Sequence, residues 1–287
     1  MQHETPKPKR HRVMKTAYSA RVTRIVCIGD SFTEGVEDEL RVDGRYRGWS
    51  DRLAFGLAQH SRLTGGSSVY YANLAVRGKL LNAIVEDQLP AALAMRPDIL
   101  TFHAGGNDVL RPGTDLPDLF DRYDTAVAQL ASSGAKLLVF TSLSRAGGTG
   151  RVADRLAARF EMFNDNARSV ALRHGADIAD VDKISALSDR RIWHEDRLHL
   201  NSQGHARIAA IILNLLGVTD EAVLGGPVGW WAEPLPVAPE RPRVDHLAED
   251  FRWFRAYLVP WAIRRIRGVS SGDGVTAKDP QLRPIVD

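Results

Sequence analysis

Apolar residues in this chain gather in two distinct rhythms. Short, near-continuous runs recur at Arg24–Gly29, Val69–Leu74, Asp98–His103, Lys136–Thr141 and Ala176–Val181, and between them apolar positions fall at intervals of three and four. Runs of that length suit strands buried on both faces, and their alternation with helical spacing predicts βαβ units around a parallel sheet. The clearest helices are expected at Trp49–Gln59, Leu116–Ala131, Val152–Arg173 and Ser202–Leu216. In the second of these, Leu116, Leu119, Tyr123, Ala126, Val127 and Leu130 share one stripe. Five strands with their crossovers account for residues 21–218, without an internal repeat.

After Val218 the rhythm changes. Pro227, Pro234, Pro236, Pro239 and Pro242 lie with Gly225, Gly226 and Gly229, which predicts an extended connection over residues 219–243. Residues 244–287 hold a stretch with helical spacing, Val244–Arg267, and then a Gly- and Ser-containing tail expected to be mobile. From Phe251 to Arg267 the stretch carries Arg252, Arg255, Arg264, Arg265 and Arg267 without an acidic residue, interleaved with Phe251, Trp253, Phe254, Tyr257 and Trp261. Two readings stay open: the aromatics pack on the preceding domain with the arginines in water, or residues 244–267 make a weak contact with an anionic membrane surface. Residues 1–20 carry Lys7, Lys9, Arg10, Arg12 and Lys15 and lack an apolar run, so a basic flexible tail is expected there rather than a secretory leader.

Composition narrows the class. Of 287 residues 44% are hydrophobic and 25% charged, the balance of a globular chain, which argues against a disordered or collagen-like protein. The longest apolar run, Ile208–Val218, is interrupted by Asn214 and is too short to span a bilayer. A formal charge of +3 is too near balance to imply nucleic acid, and no nucleic-acid partner is expected. Cys27, the single cysteine, is expected to be a small buried hydrophobe; with no intrachain disulfide to form, a cytoplasmic location is the default expectation.

In an open parallel sheet, ligands bind beyond the carboxyl ends of the strands, which makes the residues after each run the candidates. Gly29-Asp30-Ser31-Phe32 follows the first run, where a serine either presents its hydroxyl to the crevice or caps a helix. Asn73-Leu74-Ala75-Val76-Arg77-Gly78 follows the second; Gly78 either lets the backbone approach a ligand or turns the chain. Gly105-Gly106-Asn107-Asp108 follows the third, with an asparagine that can donate to a developing negative charge or close an Asx turn. Finally, Asp196-Arg197-Leu198-His199 precedes the last predicted helix. In a turn, that spacing lets the carboxylate meet one ring nitrogen while the other faces the sheet, although a surface loop can carry the same residues.

Together and in this order, the four stretches resemble the SGNH hydrolases, also called the GDSL esterase and lipase family, over residues 22–217. The resemblance implies a flavodoxin-like three-layer α/β/α sandwich with five parallel strands, to which the C-terminal residues add a helical appendage. It implies Ser31 as nucleophile, His199 as its base and Asp196 as the partner of that histidine. The Ser31 and Gly78 backbone N–H groups and the Asn107 amide then form an oxyanion hole, with Asp30 and Asp108 as supporting residues. Phe32 stands where the family commonly has leucine, a change that leaves the serine in place. No metal and no organic cofactor is implied. The expected substrate is a small-molecule ester, of small or medium acyl group, cleaved through an acyl-enzyme. A carbohydrate O-deacetylase or an O-acyltransferase uses the same residues, and a non-catalytic acyl- or carbohydrate-binding module is the alternative of another class.

Other patterns compete less well. Gly268-Val269-Ser270-Ser271-Gly272 fits the G-x-S-x-G elbow, but it follows a basic amphipathic segment instead of a strand and no histidine comes after it, so a linker is expected. His194 and His199 lie five positions apart, about 140° around a helix, which denies them the shared face of a zinc motif. Gly147–Gly150 lacks the Lys-Ser/Thr of a phosphate loop and is expected to be a mobile rim of the substrate site. Trp49 is expected in the core, with contact to an acyl or sugar group as the other option, and Glu37, Asp38 and Glu39 are expected to be solvated.

Overall fold

The computed structural model describes residues 22–143, 150–237, 249–267 and 269–286. The expected basic tail at 1–20 and residues 147–149 of the glycine-rich loop lie outside the described residues. Strands β1 (Val22–Ile28), β2 (Ser68–Asn73), β3 (Ile99–Phe102), β4 (Lys136–Phe140) and β5 (Asp177–Ala179) are mutually parallel. Helices α1 (Ser31–Glu34), α2 (Gly48–Thr64), α3 (Leu81–Asp87), α4 (Leu89–Ala94), α5 (Gly106–Val109), α6 (Leu116–Ala131), α7 (Arg151–His174), α8 (Ser202–Leu215) and α9 (Glu221–Leu224) connect and follow them.

Alternation along each strand divides the interior into two cores. On β1, Ile25 and Cys27 join one core while Val26 and Ile28 join the other; on β4, Leu138 and Phe140 oppose Leu137 and Val139. The first core packs under α2 and α8 with Trp49, Leu53, Ile208 and Ile212, and the second under α6 and α7 with Leu119, Tyr123, Phe163 and Val170. Helix α6 begins where Asp115 accepts the Asp118 N–H at 3.2 Å and buries the stripe that its spacing predicts. The result is a sheet with helices on both sides.

The sheet has six strands, in the order β5-β4-β3-β1-β2-β6, and not the five parallel strands expected. Strand β6 (Asp279–Pro284) runs antiparallel on the outside of β2, with Tyr71 opposite Arg283, so the expected mobile tail ends in an edge strand. Its two prolines and its lack of apolar alternation hide it from a period-two search. On an edge a proline costs little, because one side of the strand has no ladder to complete. Buried Lys278 anchors the strand: its ammonium donates to the carbonyls of Glu34 at 2.6 Å, Arg47 at 2.7 Å and Tyr46 at 3.1 Å, and pairs with Asp51. Arg41 clamps the neighbouring Asp279 at 2.6 Å.

The proline-rich connection is also more structured than an extended link. It contains α9 and a 3-10 turn at Trp230–Ala232, and Trp231 enters the first core. The buried Arg207 guanidinium donates to the carbonyls of Trp230 at 3.2 Å and Glu233 at 3.0 Å.

Candidate active site

At the end of β1 the Asp30 side chain accepts the Phe32 N–H at 3.0 Å, which makes Ser31 the first residue of α1. The same carboxylate meets His103 Nδ1 at 3.2 Å and the Asn107 amide at 3.3 Å. Asn107 also donates to the Lys79 carbonyl at 3.0 Å, next to Gly78. Asp30 thus joins the residues that follow β1 and β3, and Asn107 extends the set to the loop after β2. Asp108 works one layer back, accepting the Leu81 N–H at 2.9 Å at the start of α3, and burial raises its carboxyl above the ordinary range.

The loop bearing Gly78 is held by α1 itself. Glu34 accepts the Arg77 backbone N–H at 2.7 Å and the Arg77 Nε at 2.9 Å, and is buried in doing so. Gly78 has φ +73°, and a Cβ there would fall 2.5 Å from Ser270 Oγ and 2.7 Å from Ser271 Oγ. Glycine satisfies both the left-handed backbone and the space.

On the other rim, Asp196 and His199 are locked by backbone as well as by side chain. Asp196 Oδ1 accepts the N–H groups of Leu198 at 2.9 Å and His199 at 3.0 Å, while Oδ2 meets His199 Nδ1 at 2.6 Å. Arg197, between them, adopts φ +59°, an uncommon conformation for a residue with a side chain and one that this tight turn requires. Burial alone would raise the Asp196 carboxyl, but the His199 hydrogen bond and charge and the two N–H donors outweigh it and hold the group at about 2. Asp196 is therefore ionised at neutral pH.

The two rims are joined behind the serine. His205 on α8 donates to the Val36 carbonyl at 3.3 Å, and His194 Nε2 faces Glu37 Oε2 at 3.3 Å. Among the described residues no hydrogen bond links Ser31 to His199. Ser31, Asn107 and His199 are each partly exposed at this end of the sheet.

Glu37, His194 and Asp196 bring their ligand atoms within 4.8 Å of one another, a grouping that can hold a cation. Their geometry is accounted for without one. His194 Nδ1 accepts the Asp196 N–H at 3.3 Å, which directs its other nitrogen to Glu37, and both Asp196 oxygens are engaged around His199.

The acidic loop differs from its expected solvation. Asp38 is buried and receives the Gly48 N–H at 3.0 Å and two Arg52 nitrogens at 3.0 and 2.9 Å; Glu39 alone stays exposed, paired with Arg47 at 2.6 Å. Trp49 is fully buried, with ring centroids 5.6 Å from Phe32 and 5.0 Å from Phe140, and so backs α1 from within the core.

Several residues at the site carry no local sequence signal. Trp253 Nε1 donates to the Asp196 carbonyl at 2.8 Å, and the Arg197 guanidinium lies 4.9 Å over the Trp253 ring while pairing with Asp250 at 2.6 Å. Ser270 and Ser271, from the G-x-S-x-G pattern, rest against Gly78. The alternation of arginine and aromatic residues was the only hint, and it named no contact. Two cavities of about 500 and 460 Å³ lie elsewhere, one beside Arg24 and Asp98 and the other beside Arg41 and Asp279, and neither is lined by Ser31, Asn107 or His199.

The model of the GDSL-like lipase/acylhydrolase family matches residues 27–207. Among solved structures, the lipase/acylhydrolase from Enterococcus faecalis is 19% identical with a TM-score of 0.54, covering 68% of this chain and 95% of that one. Axe2, an acetylxylan esterase from Geobacillus stearothermophilus, is 18% identical with a TM-score of 0.53, covering 68% and 94%. LAE5, an alpha/beta hydrolase enzyme from the metagenome of Lake Arreo, Spain, is 23% identical with a TM-score of 0.54, covering 68% and 95%. At these identities the structural likeness concerns the fold. No curated protein sequence matches the chain.

Proposed function

The chain belongs to the GDSL-like lipase/acylhydrolase family, and we propose that it cleaves a carboxylic ester of small or medium acyl group through an acyl-enzyme on Ser31. The observation that carries this reading is the Asp196–His199 pair, with 2.6 Å between Oδ2 and Nδ1 and the carboxylate fixed by two backbone N–H groups. That contact leaves Nδ1 protonated and Nε2 free to accept the serine proton. Ser31 Oγ attacks the acyl carbonyl as His199 takes its proton, and the imidazolium so formed is stabilised by ionised Asp196. Negative charge then develops on the carbonyl oxygen. The Ser31 and Gly78 N–H groups and the Asn107 amide are the donors proposed to receive it, the long Asn107 bond to Asp30 being the one that an oxyanion replaces. His199 returns the proton to the departing alkoxide, and water, activated by the same nitrogen, releases the acid. Every step uses groups of this chain.

The test is covalent labelling by a fluorophosphonate together with turnover of p-nitrophenyl acetate. Ser31→Ala is expected to abolish both while its circular dichroism spectrum stays that of the parent. Parent-level turnover in Ser31→Ala would remove Ser31 as nucleophile.

A further inference from the structure

The helical stretch over residues 249–266 lies outside the matched family region and beside the catalytic loop. It presents two unlike faces. Trp253 and Tyr257, four positions apart, are half-buried: the first bonds the Asp196 carbonyl, and the second meets the His194 ring edge-on at 6.2 Å. Phe251 and Phe254, three apart, are 62% and 48% exposed, and Ile263 is 42% exposed. Arg252, Arg255, Arg264 and Arg267 are also exposed, and none of them forms an ion pair among the described residues. Asp250, at the start of the stretch, is taken by Arg197. Leu198, between Asp196 and His199, is itself 41% exposed.

We propose that this outward face docks the protein on an anionic lipid bilayer and so holds the catalytic loop at the water–lipid boundary. The inference rests on the ester-hydrolase reading and narrows its substrate class to an ester whose medium-length acyl chain lies in the bilayer. Phenyl rings and an isoleucine gain by leaving water, and guanidinium groups gain by meeting headgroup phosphates; an anionic interface supplies both at once. An acidic protein surface would neutralise the arginines but leave the rings without an apolar partner. No described helix is long and apolar enough to cross a membrane, so the stretch lies in the interfacial plane.

The experiment is flotation of the full chain with phosphatidylcholine vesicles, with and without phosphatidylglycerol, at low and high salt. Binding is expected only to the anionic vesicles and is expected to weaken with salt. Arg252→Gln with Arg264→Gln should lower partitioning roughly thirtyfold, from two lost headgroup contacts. Phe251→Ser with Phe254→Ser should also release the protein. Both double variants should cleave dissolved p-nitrophenyl acetate as the parent does, yet lose turnover of a medium-chain ester embedded in anionic vesicles. Absence of binding to anionic vesicles, or binding unchanged in both variants, overturns the proposal. So does a parent that forms a dimer which Phe251→Ser with Phe254→Ser dissociates, without vesicle binding. Vesicle binding by a chain that turns over no ester would keep the docking surface and overturn the catalytic reading; turnover without binding would do the reverse.

Discussion

Asn107 illustrates what a single residue at this site must do. Its amide is shared between the Lys79 carbonyl at 3.0 Å and Asp30 at 3.3 Å, so in the proposed mechanism it is already oriented before a charge develops near it. A donor held in place costs no reorganisation when the oxyanion forms, and removing one such donor typically slows chemistry more than it weakens binding. Asn107→Ala is therefore expected to lower kcat roughly 10²- to 10³-fold with little change in KM, measured on a soluble ester. A rise in KM alone would move Asn107 to ground-state binding. Ser31, Gly78 and Asn107 stand out in the sequence because each comes within a few positions of an apolar run, and Asp196 and His199 because they come just before the last predicted helix. Their supports do not: Glu34 reaches Arg77 across 43 positions, and no local spacing records such a contact.

Strand β6 shows the same limit for a whole element. Helix α6 runs over Leu116–Ala131 as its stripe predicts, since an amphipathic helix writes its burial into its own period. An edge strand rich in proline writes nothing of the kind, and its placement comes from two side chains, Lys278 and Asp279, that precede it or begin it. Lys278→Met would strip a cation from three carbonyls and from Asp51, both partners being almost fully buried. Breaking a buried pair costs about 3–5 kcal/mol, and the loss here is expected at the low end because Arg41 still meets Asp51 at 3.0 Å. Urea unfolding should report a loss of that order, and Lys278→Met combined with Asp51→Asn should recover part of it. A single variant as stable as the parent would mean that the pair does not anchor the strand. Because Lys278 holds the Glu34 carbonyl and Glu34 holds the Gly78 loop, loss of the strand is also a route to a loosened site.

Across the whole molecule, α8 is tied to the segment that follows Ser31 and α1 by a histidine that the fold keeps neutral. His205 is 1% exposed and donates to the Val36 carbonyl; burial, the largest influence, lowers its pKa to about 4 in spite of nearby Asp38, with Lys278 and Arg52 adding to the fall. In the unfolded chain a histidine titrates near its ordinary value of about 6.5. Above that pH both states are neutral and the residue contributes no pH dependence. As the pH falls from there toward 4, the unfolded chain takes up a proton that the folded chain refuses, and stability drops by a total of roughly 3 kcal/mol. Asp38 and Asp196 act in a lower window. Burial raises each, but their partners prevail and hold both at about 2, so the stability that they lend is present above the ordinary carboxylate range and is lost only as the pH falls toward 2. The melting temperature of the parent should accordingly fall in two stages. His205→Gln, whose amide can still donate to Val36, should flatten the decline between pH 6.5 and 4 and leave the later one intact. An unchanged slope in that upper window would place the titrating group elsewhere.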